Sequence, residues 1–169
     1  HADALAILAE LGGLASPPAG SRWGVWAAQP PGPRLMASKA HGGWRLDGTK
    51  QYCSGARSLT HALVTAVAPD GSRLFTVSTQ SLAPVPGSWP ATGMAASDTL
   101  DVEFTDVPAE PVGGPGGYTG RPGFAHGGAG VAACWYGGAR GVGHTLLTAA
   151  AERDMGPHAL AHLGAVDIA

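Results

Sequence analysis

Apolar and polar positions along the chain change rhythm twice. Near the start, Leu5, Leu8 and Leu11 recur at three-residue steps within Ala2 to Leu14. That spacing predicts a short helix, and Gly12-Gly13 offers it a terminus. Ser16-Pro17-Pro18-Ala19-Gly20-Ser21 reads as a linker. From Arg22 to Val107, short apolar runs alternate with turn residues. Trp23 to Ala28 and Arg34 to Ala40 predict strands, the second ending at His41-Gly42-Gly43. Trp44-Arg45-Leu46 and Thr49 to Cys53 predict a hairpin about Asp47-Gly48, because both turn residues tolerate positive φ. Leu63 to Val67 and Leu74 to Ser78 flank another turn, Pro69-Asp70-Gly71-Ser72. Leu100, Val102 and Phe104 alternate with Asp101, Glu103 and Thr105, a strand with one wet face.

Pro108 to Gly123 predicts a loop rich in Gly and Pro. The period then lengthens. Phe124 to Arg153 contains no proline, and Val142, Leu146, Leu147 and Ala150 share one helical face. A long helix follows from this, weakened by its glycines. Gly156-Pro157 ends it, and His158 to Ile168 begins a second helix. The predicted fold class is therefore α+β: a short N-terminal helix, an antiparallel β-barrel or sandwich, then long C-terminal helices.

Composition narrows the functional classes. Apolar residues make up 44% and charged ones 13%, a globular balance rather than a disordered one. The net charge is −2 and the only lysines are Lys39 and Lys50. A basic stripe is absent, which argues against a nucleic-acid partner. Cys53 and Cys134 form no C-x-x-C pair and no disulfide framework, so a cytoplasmic setting is expected. No apolar stretch reaches the ~18 residues of a membrane-spanning helix. The chain begins at His1, and Leu163 to Ala169 stays apolar without a stop signal, so a piece of a longer chain is expected.

The run Gly48-Thr49-Lys50-Gln51-Tyr52-Cys53-Ser54-Gly55-Ala56 carries the chemistry. As bare sequence it is a strand ending in small polar residues. It also places a ring at Tyr52 and a hydroxyl at Ser54, a spacing that shares one face of a strand. A ring there can lie on a flat cofactor while the hydroxyl reaches the cofactor's edge.

This run resembles the acyl-CoA dehydrogenase signature G-x-K-x-[WF]-I-T-N-A. Two further segments agree in order. Gly93 to Thr99, then Val102 to Pro108, is similar to G-x-R-x-S-x-T…V-x-F-x-D-V-x-V-P, and Val25 to Pro30 is similar to F-A-L-T-E-P. The resemblance spans about Trp23 to Arg153. It implies the end of an N-terminal helical domain with its linker at 1–21, a middle β-domain at 22–112, and the start of a C-terminal helical domain at 113–169. It implies FAD as cofactor, with Tyr52 packing beside the isoalloxazine ring, Ser54 bonding near flavin N5 and Cys53 contributing backbone. Ala27 and Ala28 would border the flavin, Arg153 would reach the FAD of a neighbouring subunit, and Ser97 would lie on the substrate side. It further implies an acyl-CoA or similar thioester substrate, an electron-transfer acceptor and a homo-oligomer. Three family polar positions are alanine here: Ala28, Ala95 and Ala129. No acid occurs between Glu110 and Glu152, so the family's general-base glutamate is expected outside this segment. A relative that keeps the fold without the chemistry, as a binding or assembly module, is the second reading.

Other signals favour structure. Gly128 to Ala133 matches G-x-G-x-x-A but lacks the strand that a dinucleotide loop requires. His158 and His162 are four apart, yet Ala159 replaces the glutamate of H-E-x-x-H, and no metal site is expected. His126, Trp135 and Tyr136 are read chiefly as packing residues.

Overall fold

The structure, a computed structural model, describes residues 1–13 and 17–167. Leu14, Ser16 and Ile168, named above as ends of a helix, a linker and a second helix, lie outside the described residues. The chain forms two compact units, His1–Gly123 and Phe124–Ala169.

The first unit holds helices α1 (Ala2–Glu10) and α2 (Gly117–Gly120) and strands β1 (Trp23–Trp26), β2 (Met36–Ala40), β3 (Gly43–Cys53), β4 (His61–Ala68), β5 (Gly71–Ser78), β6 (Ala83–Pro84) and β7 (Leu100–Val112). The strands run in the order β1-β4-β2-β3-β7-β5, and β4 also pairs with β5, so the sheet curls into a barrel. Most pairings are antiparallel, but β1 lies parallel to β4, with Trp23 beside His61 and Trp26 beside Val64. The interior is filled by Trp26, Leu46, Val64, Phe75, Val102 and Phe104 among others. Helix α1 covers part of the outer face, where Ala4, Ile7 and Leu8 bury against Trp23, Leu63, Leu74 and Val112. That packing, more than helix propensity, fixes so short a helix.

Two sequence expectations are corrected. Asp47-Gly48 is not a hairpin turn: Gly43 to Cys53 is one strand running antiparallel to β7 on both sides of it. The register shifts between Leu46 and Gly48, a bulge rather than a reversal. Gly48 has φ +116°, and a Cβ there would stand 2.5 Å from the Arg34 carbonyl oxygen, so the glycine serves close backbone approach. Asp47 accepts the Asp106 N–H through Oδ1 at 2.8 Å, stapling the bulge to β7. The true hairpin is the neighbouring one, where Ala40 pairs with Gly43.

The second correction concerns 108–112, expected as loop. It continues β7, with Pro108 opposite Arg45 and Pro111 opposite Phe75. Burial of Ala109 and Val112 outweighs the missing proline donors.

The second unit consists of α3 (Gly123–Glu152, beginning on the last residue of the first unit) and α4 (Pro157–Asp167). Trp135 and Tyr136, read as packing residues, are 75% and 68% exposed. Two helices alone make no interior to receive them. Among the described residues, no helix is long and apolar enough to cross a membrane.

Candidate functional site

Three separated segments meet at the end of β3. The first is Tyr52 to Ala56, where the strand runs out. Between Lys50 and Cys53 the register with β7 slips by a residue, three β3 residues facing two of β7. Tyr52 occupies the slip with φ 59° and donates its backbone N–H to Asp101 Oδ1 at 3.3 Å. Tyr52 is 48% exposed, Ser54 is exposed, and Cys53 between them is fully buried. The bulge, not plain strand alternation, is what sets these exposures. Burial pushes the Cys53 thiol above its usual range, so Cys53 offers its backbone and not a thiolate.

The second segment is Met94 to Thr99. A 3₁₀ turn at Ala95–Ser97 leads into β7. Gly55 donates its N–H to the Ser97 carbonyl at 2.8 Å, and Ala56 to the Asp98 carbonyl at 3.2 Å. The Asp98 carboxylate accepts from the Arg57 backbone N–H at 3.0 Å and from Nε at 2.9 Å. These bonds hold the hydroxyls in a row: Ser54 Oγ lies 2.9 Å from Thr99 Oγ1, which lies 2.7 Å from Ser97 Oγ.

The third segment is the end of β1. The indole Nε1 of Trp26 donates to the Ser54 carbonyl at 3.1 Å. Ala27, just past the strand, accepts Thr65 Oγ1 through its carbonyl at 3.3 Å. Thr65 in turn receives Lys50, whose Nζ donates to the Thr65 carbonyl and hydroxyl, both at 2.8 Å. Lys50 is only 4% exposed, and this burial lowers its pKa to about 8. Ala28, Lys50, Gln51 and Thr65 line a small cavity of about 20 Å³ there.

Four described non-glycine residues have positive φ, and three of them, Tyr52, Met94 and Asp98, belong to this rim. Each such conformation costs roughly 1–3 kcal/mol and persists only where surroundings hold it. Strain concentrated at one rim therefore marks a candidate site. A wider cleft of about 390 Å³ lies among Trp23, Trp44, Arg45, His61 and Glu110, and none of the expected site residues lines it.

Arg153 follows α3 in the second unit, exposed. Among the described residues, no three of His, Cys, Asp and Glu group to hold a metal. Of the other rim residues, Trp26, Lys50 and Thr99 stand inside the quoted motif segments without a role of their own, and Thr65 stands in none of them. Thr99 stood inside the Gly93 to Thr99 match, where its hydroxyl was the available signal.

Comparisons with known proteins bear on the fold. No family model matches the sequence, and no curated protein matches it. Solved structures do. KijD3, solved in complex with dTDP, shares 22% identity over 85% of this chain and 40% of its own, with a TM-score of 0.51. The steroid acyl-CoA dehydrogenase Tcur3481-Tcur3483 shares 27% identity over 73% of this chain and 33% of its own, with a TM-score of 0.55. The chain has the acyl-CoA dehydrogenase fold. It carries this fold as a fragment, spanning two fifths or less of the structures it matches. TdsC from a Paenibacillus species, solved with FMN bound, matches at 28% identity over 59% of this chain and 28% of its own, with a TM-score of 0.48. In this chain, residues from all three motif segments converge at the β3 rim.

Proposed function

We propose that this chain is the cofactor-cradling part of an FAD-dependent oxidoreductase of acyl-CoA dehydrogenase type. The reaction would be α,β-dehydrogenation of an acyl-CoA thioester, for which the flavin would supply the hydride acceptor and a transfer partner would take up the electrons. The observation that supports it best is the row of hydroxyls Ser54, Thr99 and Ser97, with the half-exposed Tyr52 two residues before Ser54 on the same strand end. A flat, neutral cofactor with acceptor atoms along its edge fits this donor set. The ring offers a surface to stack on, and the row offers an uncharged hydroxyl donor at its end.

When bound, the flavin supplies the hydride acceptor. The chain's own residues bind and orient. Ser54 would donate to the flavin edge near N5, Tyr52 would pack against the ring system, and Ala27 and Ala28 would border it. Cys53 would contribute its backbone. Ser97 faces the thioester, and Arg153 reaches a flavin of a second subunit in the full-length homo-oligomer. A glutamate outside this segment takes the α-proton.

Loss of one hydroxyl tests the reading. The full-length apoprotein, titrated with FAD and followed by flavin fluorescence, is expected to bind, and Ser54→Ala to raise Kd about 3- to 10-fold. An unchanged Kd in the Ser54→Ala protein contradicts the assigned contact. The alanines at positions 28 and 95, both exposed, favour the second reading, a module that keeps the fold without turnover. Bleaching of the bound flavin by an acyl-CoA under anaerobic conditions excludes that second reading.

A further inference from the structure

Three hydroxyls in a row carry three protons but make only two bonds to one another. Thr99 is the middle member and is 8% exposed, so its own proton must be given to one neighbour. If both serines donated to Thr99, its proton would be left buried without an acceptor, which costs about 1–3 kcal/mol. Two arrangements remain. In one, Ser97 donates to Thr99, Thr99 to Ser54, and Ser54 presents its proton outward. In the other the whole row is reversed, and Ser97 presents the proton while Ser54 presents only lone pairs. Among the described residues, no further protein partner takes up either serine hydroxyl.

The row cannot slacken easily. The two loops that bear it are joined by Gly55 to Ser97 at 2.8 Å, Ala56 to Asp98 at 3.2 Å and the Arg57–Asp98 clamp, with Trp26 on the Ser54 carbonyl. Fixed oxygens with movable protons make a two-state element, which is what coupling between two sites requires.

We infer that Thr99 is a positioning residue that makes Ser54 and Ser97 one directional hydrogen-bond wire, so that Ser97 presents an acceptor when Ser54 donates and a donor when Ser54 accepts. No proton is transferred; three O–H bonds rotate. This inference rests on the proposed flavin reading. A ring nitrogen that accepts when oxidised and carries hydrogen when reduced, placed at Ser54, reverses the wire. The ligand at Ser97 then meets a changed partner, so substrate and product are held differently according to the redox state.

The test is a double-mutant cycle on the full-length protein with FAD, reading Kd by fluorescence and the visible absorption of the bound flavin. Thr99→Val is expected to raise Kd about 3- to 10-fold and Thr99→Ser to restore it. Ser97→Ala is expected to shift Kd and the flavin spectrum in the otherwise unaltered protein, and to shift neither further once Thr99→Val is present. Circular dichroism of each variant identifies any that fails to fold, and Thr99→Ala, which also removes the middle hydroxyl, then carries the comparison with Ser97→Ala in place of Thr99→Val. Equal effects of Ser97→Ala with and without Thr99→Val overturn the wire while leaving the flavin reading intact. No FAD uptake by the unaltered protein overturns both.

Discussion

Lys50 is a cation placed where the barrel has almost no water. Its Nζ is held by both oxygens of Thr65, and Thr65 holds the Ala27 carbonyl at the edge of the rim. Burial, partly opposed by the nearby Cys53, brings its pKa to about 8, below the ~10.4 of an unfolded lysine. Between these values the unfolded chain binds more protons than the folded one, so stability rises with pH through this window. Below about pH 8 the folded protein carries the full cost of the buried charge. Urea unfolding at pH 7 and pH 10 is expected to show the unaltered protein gaining stability relative to Lys50→Met at the higher pH. A constant difference between the two proteins would contradict the buried-charge account. Residue chemistry of this kind was only half legible in the sequence. The ring of Tyr52 and the hydroxyl of Ser54 could be read from a motif, because their types and order survive in the linear chain. The partnership of Lys50 with Thr65, or of Ser54 with Thr99, joins residues 15 and 45 positions apart and needs the barrel to bring them together.

Among elements, β3 shows where local reading fails and why. Asp-Gly favours a two-residue turn when its flanks can pair with each other. Here β7 offers a longer partner to both flanks, and the tertiary pairing wins over the local signal. The glycine is retained for a different reason, the 2.5 Å approach to the Arg34 carbonyl. Gly48→Ala is therefore expected to destabilise the protein by about 2 kcal/mol or more, measured as a lower urea midpoint with unchanged slope. An effect within about 0.5 kcal/mol would show that the site accommodates a side chain. The strands with clear alternation, Leu100 to Thr105 above all, were legible because one face is wet and one dry. The extension through Pro108 and Pro111 was not, since burial of Ala109 and Val112 is settled across the sheet and not along it.

For the whole molecule, the order of helix, barrel and helices was readable, since each change of hydrophobic period marks a change of element. The α+β class and the shared fold with an acyl-CoA dehydrogenase follow from the same order. The apolar residues of α3 were legible as a helix face but not as an interior, because Trp135, Tyr136 and Val142 are exposed in the second unit. The central claim is that the rim joining Trp26, Tyr52, Ser54 and Thr99 is built for a flavin. The visible absorption of the purified full-length protein, before and after incubation with FAD, tests this most directly. The expected spectrum is that of a bound flavin in an amount equal to the chain. A protein that is colourless as isolated and takes up none when supplied would contradict the claim.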